Sequence, residues 1–170
     1  DDNADWEAAY RMFRGDVAYV WHPAGAIQGI FINTIQATDL KIRMTMLWAK
    51  DRFALSRGAY HVQLEPCCYA VRQGTTAKCV DDRSQSTLWA IPARDDGGHG
   101  HGTQKPLECM ARPIRHHDFP LVYDPFLGSG TTIIAAEQEG RACIGMELDP
   151  GYCDVIRKRW AEYVHGPDCD

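Results

Sequence analysis

Apolar residues recur along the chain in short runs that alternate with amphipathic stretches. In the first half, residues 5–13 and 26–38 carry apolar side chains at helical spacing. Runs that are continuous enough for strands lie at 16–21, 41–48, 66–72 and 86–91. The run at 16–21 has the unbroken apolar character of a fully buried parallel strand. This order of elements predicts an α/β fold, with a mostly parallel sheet and helices on both faces.

The same alternation continues in the second half of the chain. Its predicted elements are a short helix at 106–116, a buried strand at 121–123, a helix at 131–139, a strand at 142–146 and a helix that begins near Pro150. A glycine-rich loop joins the strand at 121–123 to the next helix. Gly128 and Gly130 can adopt backbone conformations closed to other residues, and they leave N–H groups free at a helix start. A loop of this kind lets the backbone approach a ligand closely.

Glu147 ends the strand that follows this loop and helix. It lies about 20 residues beyond the first glycine, the spacing at which an acid can accept hydrogen bonds from ribose hydroxyls. The pattern therefore predicts a nucleoside-binding βαβ unit.

Three nucleoside ligands are candidates for that unit: a nucleoside triphosphate, a dinucleotide and S-adenosylmethionine. A phosphate-binding P-loop requires a lysine before its Ser or Thr, but Gly130 is followed directly by two threonines, which disfavours ATP or GTP. The dinucleotide fingerprint requires a small residue at 133, where Ile133 stands, which leaves a NAD-dependent oxidoreductase as a distant alternative. S-adenosylmethionine has no phosphates, so a loop that passes its methionine moiety and an acid that holds its ribose suffice. Of the three ligands, S-adenosylmethionine fits these residues best.

Two motifs resemble a known family. Asp124-Pro-Phe-Leu-Gly-Ser-Gly-Thr-Thr132, preceded by His101-Gly-Thr-Gln-Lys-Pro106, is similar to the paired cofactor motifs of the amino-methylating DNA methyltransferases. The order of segments is that of the family's circularly permuted β-type arrangement, and the resemblance covers nearly the whole chain. It implies a Rossmann-like S-adenosylmethionine-dependent methyltransferase fold. It also implies methyl transfer to an exocyclic amine, at N6 of adenine in preference to N4 of cytosine.

The resemblance further implies which residues hold the cofactor. The glycine loop would wrap the methionine and sulfonium, Glu147 would hold the ribose, and Asp149 would border the adenine. Gln104 and Lys105 would contact the methionine end. The residues expected to bind S-adenosylmethionine are Thr103, Gln104, Lys105, Asp124, Pro125, Phe126, Gly128, Ser129, Gly130, Glu147 and Asp149.

The family's catalytic motif, (Asp/Asn/Ser)-Pro-Pro-(Tyr/Phe), is absent from the sequence. In the family it binds the target amine and stacks on the base after that base has left the duplex. The nearest imitation, Glu65-Pro-Cys-Cys-Tyr69, has one proline and follows the strand at 41–48. Because the family places the motif upstream of a segment like 1–21, we expect an N-terminally truncated fragment whose catalytic residues are unknown. A catalytically inert module that binds S-adenosylmethionine or DNA is the alternative.

Trp21 and His22 are candidates to line a base pocket, since they end the strand that would neighbour the catalytic one. A core tryptophan and a strand-end histidine are the alternative interpretation. The net charge is −5, yet residues 41–78 contain seven Lys and Arg against two acids. This segment is therefore the predicted DNA-facing edge, although a merely solvated basic face remains open. Its candidate phosphate contacts are Lys50, Arg52, Arg57, Arg72 and Lys78.

The length of 170 residues fits one methyltransferase domain, partial over 1–170, with an irregular insert at 73–102 as a candidate target-recognition region. No apolar run is long enough to cross a membrane and the first residues are acidic, so we expect a cytoplasmic protein without a membrane partner. Seven cysteines without a regular framework predict free thiols and no metal site. Double-stranded DNA is the expected partner, while a homodimer and a restriction endonuclease partner stay open.

Overall fold

The computed structural model describes residues 6–93 and 104–167, which fall into two compact units. Unit 1 spans Asp1–Ala93 and unit 2 spans Arg94–Asp170. The elements of unit 1 are α1 (Trp6–Met12), β1 (Val17–Trp21), α2 (Gln28–Gln36), β2 (Leu40–Ala54), β3 (Val62–Arg72) and β4 (Leu88–Ala90). Those of unit 2 are α3 (Leu107–His116), β5 (Leu121–Asp124), α4 (Thr131–Gln138), β6 (Ala142–Gly145) and α5 (Pro150–His165). These elements confirm an α/β fold.

The sheet of unit 1 has the strand order β1-β3-β2-β4. Strand β3 is antiparallel to both β1 and β2, and among the described residues of unit 1 only β2 and β4 pair in parallel. The expectation of a mostly parallel sheet is therefore wrong for this unit. The physical reason is the short connection at 55–61, because a few residues can join antiparallel neighbours whereas parallel ones need a crossover.

Strand β1 also departs from the expected buried parallel strand. All five of its residues are only half-buried, and its pairing partner is the antiparallel β3. The core lies instead where α1 and α2 pack on the sheet. It consists of Tyr10, Ile35, Leu40, Cys68 and Ala70, with Ile35 and Ala70 fully buried.

Tryptophans fix the short strand β4 to its neighbour. The indole N–H of Trp48 donates a hydrogen bond of 2.8 Å to the carbonyl of Ile91, and Trp48 and Trp89 are each 3% exposed. The ring of Trp21 meets both of these rings edge-on. A buried indole whose N–H has a partner adds apolar area without an unsatisfied polar group.

Unit 2 contains the predicted βαβ arrangement. Strands β5 and β6 pair in parallel, from Leu121 opposite Ala142 to Asp124 opposite Gly145, and α4 connects them. Ala135 and Ala136 on α4 are fully buried. On α3, Cys109 is fully buried and Ala111 is 1% exposed. Small residues on both helices allow close packing.

Among the residues that the structure describes, no helix is both long enough and apolar enough to cross a bilayer. The same residues include no group of three His, Cys, Asp or Glu side chains placed to hold a metal ion. The six cysteines within the described ranges form no disulfide.

Candidate functional site

The glycine loop of unit 2 connects β5 to α4. Gly128 and Gly130 both have left-handed backbones, with φ of +53° and +82°. A Cβ added at Gly128 would meet nothing within 4 Å, whereas one at Gly130 would lie 2.9 Å from Cγ1 of Ile156. The two glycines therefore have different structural roles. Gly128 leaves open space beside the backbone, and Gly130 permits α5 to pack against the loop.

Asp124 braces the loop from the end of β5. Its Oδ1 accepts a hydrogen bond of 2.9 Å from the amide of Phe126, and its Oδ2 accepts one of 2.6 Å from the hydroxyl of Thr132. One carboxylate thus joins the start of the loop to the first turn of α4. The sequence predicts Asp124 as a cofactor residue, and the structure shows how it shapes the loop.

Glu147 joins the same loop to the end of β6. Its Oε2 accepts a hydrogen bond of 2.7 Å from the amide of Gly128, and its Oε1 accepts one of 2.9 Å from the amide of Asp149. A carboxylate oxygen can accept two hydrogen bonds, so each retains an acceptor position beyond these contacts. The acid is oriented by backbone amides and can still receive hydroxyl donors.

Asp149 is the N-cap of α5. Its Oδ1 accepts hydrogen bonds from the amides of Gly151 and Tyr152, at 2.7 and 3.3 Å. This contact satisfies two of the amides that a helix start leaves unpaired. Between the two acids, Leu148 is 97% exposed, and Phe126 of the loop is 37% exposed. Leu148 was not predicted, because sequence alone does not show that an apolar residue stays outside the core.

Ser129 is held from two sides. Its hydroxyl donates to Oε1 of Gln104 at 3.3 Å, while the guanidinium of Arg159 donates to its carbonyl at 2.6 Å and to its Oγ at 3.0 Å. Sequence reasoning missed Arg159. The available signal was helical spacing, since Ile156 and Arg159 are three residues apart on α5 and so share one face. Both residues of this face contact the loop.

The structure thus joins most of the predicted cofactor residues by hydrogen bonds around one loop. Pro125 and Lys105 are half-buried beside residues that make such bonds. Thr103 lies outside the described residues.

The residues predicted for a base pocket lie in unit 1. His22 is 2% exposed, stacks on Phe31 and has its Nε2 3.4 Å from Sγ of Cys68. Its Nδ1 lies 3.1 Å from the carbonyl of Pro23. Burial raises the pKa of the Cys68 thiol. These contacts place His22 in the core of unit 1, while Trp21 is half-buried among other tryptophans.

The predicted phosphate contacts divide into two half-buried and three exposed side chains. Arg72 pairs with Asp39 and also donates to the carbonyls of Phe13 and Gly15, at 2.7 and 2.9 Å. Lys50 pairs with Glu65 at 3.2 Å. These two cations therefore form ion pairs with residues of unit 1. The exposed members of the set are Arg52, Arg57 and Lys78.

Comparison with known proteins supplies a family. A family model described as DNA methylase matches residues 27–158. The type II methyltransferase M2.MboI of Moraxella bovis is 35% identical over 180 aligned positions, which cover 94% of this chain and 65% of that relative. The type II methyltransferase M.HinfI of Haemophilus influenzae is 38% identical over 76 residues, which are 44% of this chain and 21% of that relative. The chain spans less than half the length of the first three curated relatives that it matches, from 21% to 46%.

A solved structure shares the fold. The complex of M1.HpyAVI with SAM superposes with a TM-score of 0.77 at 22% sequence identity, and the match covers 91% of this chain and 80% of the other. This likeness confirms the predicted Rossmann-like methyltransferase fold.

Proposed function

The chain belongs to the DNA methylase family of amino-methylating DNA methyltransferases, and from this premise we propose that it acts in methyl transfer from S-adenosylmethionine to DNA. The observation that carries the proposal is the contact between Gly128 and Glu147. It sets an acid with spare acceptor positions beside a loop whose backbone is open at Gly128. A carboxylate beside a glycine backbone that carries no side chain suits a nucleoside that has no phosphates.

The residues around the loop fit S-adenosylmethionine. Glu147 is proposed to accept hydrogen bonds from the ribose hydroxyls. Leu148 and Phe126 offer exposed apolar surface for the adenine ring and the methionine chain. The loop from Asp124 to Thr132 contains no lysine or arginine, so it offers no cation for a phosphate. When bound, the cofactor supplies an electrophilic methyl group on a sulfonium.

We propose an exocyclic amine of double-stranded DNA as the methyl acceptor, and N6 of adenine in preference to N4 of cytosine. The choice of adenine follows the family resemblance. Both relatives named above are type II methyltransferases, which supports a restriction endonuclease as the cellular partner. An enzyme acting on genomic DNA would work in the cytoplasm.

The test is incorporation of a labelled methyl group. The chain is incubated with duplex DNA and methyl-labelled S-adenosylmethionine, and the DNA is digested to nucleosides for chromatography. Label in N6-methyldeoxyadenosine supports the full proposal, and label in N4-methyldeoxycytidine supports the reaction with the other base. Absence of both cofactor binding and label would overturn it.

A second candidate is a module that binds the cofactor without catalysing transfer. It is favoured by the absence of an (Asp/Asn/Ser)-Pro-Pro-(Tyr/Phe) tetrapeptide from the sequence. Cofactor binding without label in DNA supports this candidate. Displacement of S-adenosylmethionine by NADH would instead support the distant oxidoreductase alternative.

A further inference from the structure

The hairpin formed by β2 and β3 ends in a tip that carries exposed apolar side chains. We define the hairpin tip as residues 52–64, all of which are exposed. Tyr60 is 89% exposed, Leu55 83% and Phe53 54%. Large apolar side chains that are exposed together on one short segment are typical of interaction sites on proteins.

Internal contacts hold the tip together. Ala54 pairs with Val62, and the rings of Phe53 and His61 stack with their centroids 5.0 Å apart. The hydroxyl of Ser56 donates to the carbonyl of Tyr60 at 2.7 Å, which closes the turn. The amide of Ser56 also donates to Nδ1 of His61 at 3.2 Å. A preformed turn that displays aromatic rings loses little conformational entropy when it binds a partner.

The charge of the tip selects the partner. Residues 52–64 contain Arg52 and Arg57 and no acid, in a chain whose net charge is −5. Arg52 contacts Asp51 at 3.6 Å but remains 80% exposed, and Arg57 is exposed. A second copy docking symmetrically on the tip would bring these arginines against their own equivalents, which is unfavourable. A polyanionic partner avoids this repulsion, because it carries no cations to oppose the two arginines.

Arginine and aromatic side chains on a two-stranded ribbon fit DNA. Arginines contact phosphates, aromatic rings make apolar contacts with base edges, and the major groove admits a two-stranded β-ribbon. We propose that the hairpin tip docks on the DNA substrate, with Arg52 and Arg57 on phosphates and the rings of Phe53 and Tyr60 against bases. This inference rests on the proposed function, because that function supplies DNA as the substrate.

The test compares tip variants with matched variants on α5. Fluorescence anisotropy measures the Kd of a labelled duplex at several salt concentrations for the chain, for R52S/R57S and for Y60S. The controls are R157S, which removes an arginine whose side chain is 76% exposed, and Y163S, which removes a tyrosine that is 48% exposed. Circular dichroism and the Kd for S-adenosylmethionine confirm that each variant is folded.

The two kinds of tip variant have different expected signatures. R52S/R57S should weaken DNA binding and reduce the salt slope by about 1.8, since each lost phosphate contact removes about 0.9. Y60S should weaken binding by about fivefold or more with an unchanged slope, because apolar contact with base edges does not release counterions. The two controls should match the unmodified chain.

Three results would overturn the inference. Equal Kd and slope in the tip variants would show that DNA binds elsewhere, and would leave the proposed function standing. Self-association that Y60S abolishes, with DNA affinity intact, would assign the tip to a second copy. A chain that binds S-adenosylmethionine but no duplex would remove both the tip inference and the proposed DNA substrate.

Discussion

The amide of Gly128 donates a hydrogen bond of 2.7 Å to Oε2 of Glu147, a residue 19 positions later in the chain. The bond joins a glycine loop to the end of the neighbouring strand, so the shape of the loop and the direction of the acid are set together. A preorganised site of this kind loses less free energy to ordering when a ligand binds.

We expect Gly130→Ala to destabilise unit 2 more than Gly140→Ala. Both glycines have left-handed φ, which costs an alanine about 1 to 2 kcal/mol. A Cβ at Gly140 meets nothing within 4 Å, whereas at Gly130 it lies 2.9 Å from Ile156, and such overpacking costs about 1 to 3 kcal/mol more. Urea unfolding measures both free energies. Equal losses for the two variants would contradict the packing of α5 against the loop.

Arg159 is expected to support ligand binding through the loop. Arg159→Met removes two charge-assisted hydrogen bonds to Ser129, each worth about 1.5 to 3 kcal/mol, and should weaken S-adenosylmethionine binding by about tenfold or more. Arg159→Lys keeps the charge but lacks the rigid planar guanidinium that positions the donor nitrogen, so its affinity should be intermediate.

The matched control for this prediction is Arg157→Met on the same helix. The side chain of Arg157 is 76% exposed and pairs with Asp154 across one turn, so its loss should leave cofactor affinity unchanged. Isothermal titration calorimetry gives the affinities. If Arg159→Met binds the cofactor as tightly as Arg157→Met, then Arg159 only stabilises α5.

The stability of unit 2 should decrease in acid through Glu108. Burial acts to raise the pKa of Glu108, but hydrogen bonds from Arg115 and Arg112 bring it below its ordinary value of 4.5. A carboxyl whose folded pKa is depressed stabilises the fold above its unfolded pKa, and this contribution is lost as the pH falls through the folded pKa. Arg115 also contacts Glu139, so the same cation links α3 to the end of α4.

Urea unfolding at a series of pH values below about 5 measures this loss. The Glu108→Gln variant should lose less stability over that range than the unmodified chain. Asp154→Asn, which removes a carboxylate that is 79% exposed, provides the control and should keep the original pH dependence. A Glu108→Gln variant with an unaltered pH profile would show that this carboxylate does not contribute.

The elements of unit 2 were predictable because local signals coincide there. Gly128 and Gly130 mark the loop, and the apolar run before Asp124 and the one before Glu147 mark the two strands. Since βαβ units place successive parallel strands side by side, the acids that end those strands meet at one edge. Membership of the amino-methylating DNA methyltransferases was likewise predicted from these residues and is confirmed.

Other features depend on contacts that local patterns do not encode. The apolar run at 66–72 predicts a strand but not its direction, so the antiparallel placement of β3 was missed. His22 ends a strand in sequence like a pocket residue, yet Cys68 and Phe31 surround it in the fold. The contact of Arg159 with Ser129 spans 30 residues. Helical spacing puts Arg159 on the same face of α5 as Ile156, but it does not say what that face contacts.

The most direct test of the account is calorimetric titration of S-adenosylmethionine into the chain and into Glu147→Ala. The replacement removes a charged acceptor beside Gly128, so binding should weaken by about 1 to 3 kcal/mol. Glu162→Ala, on α5 and 40% exposed, is the control and should bind like the unmodified chain. Equal affinity in the unmodified chain and Glu147→Ala, or no binding by either, would contradict the assignment of this loop and acid as the methyl-donor site.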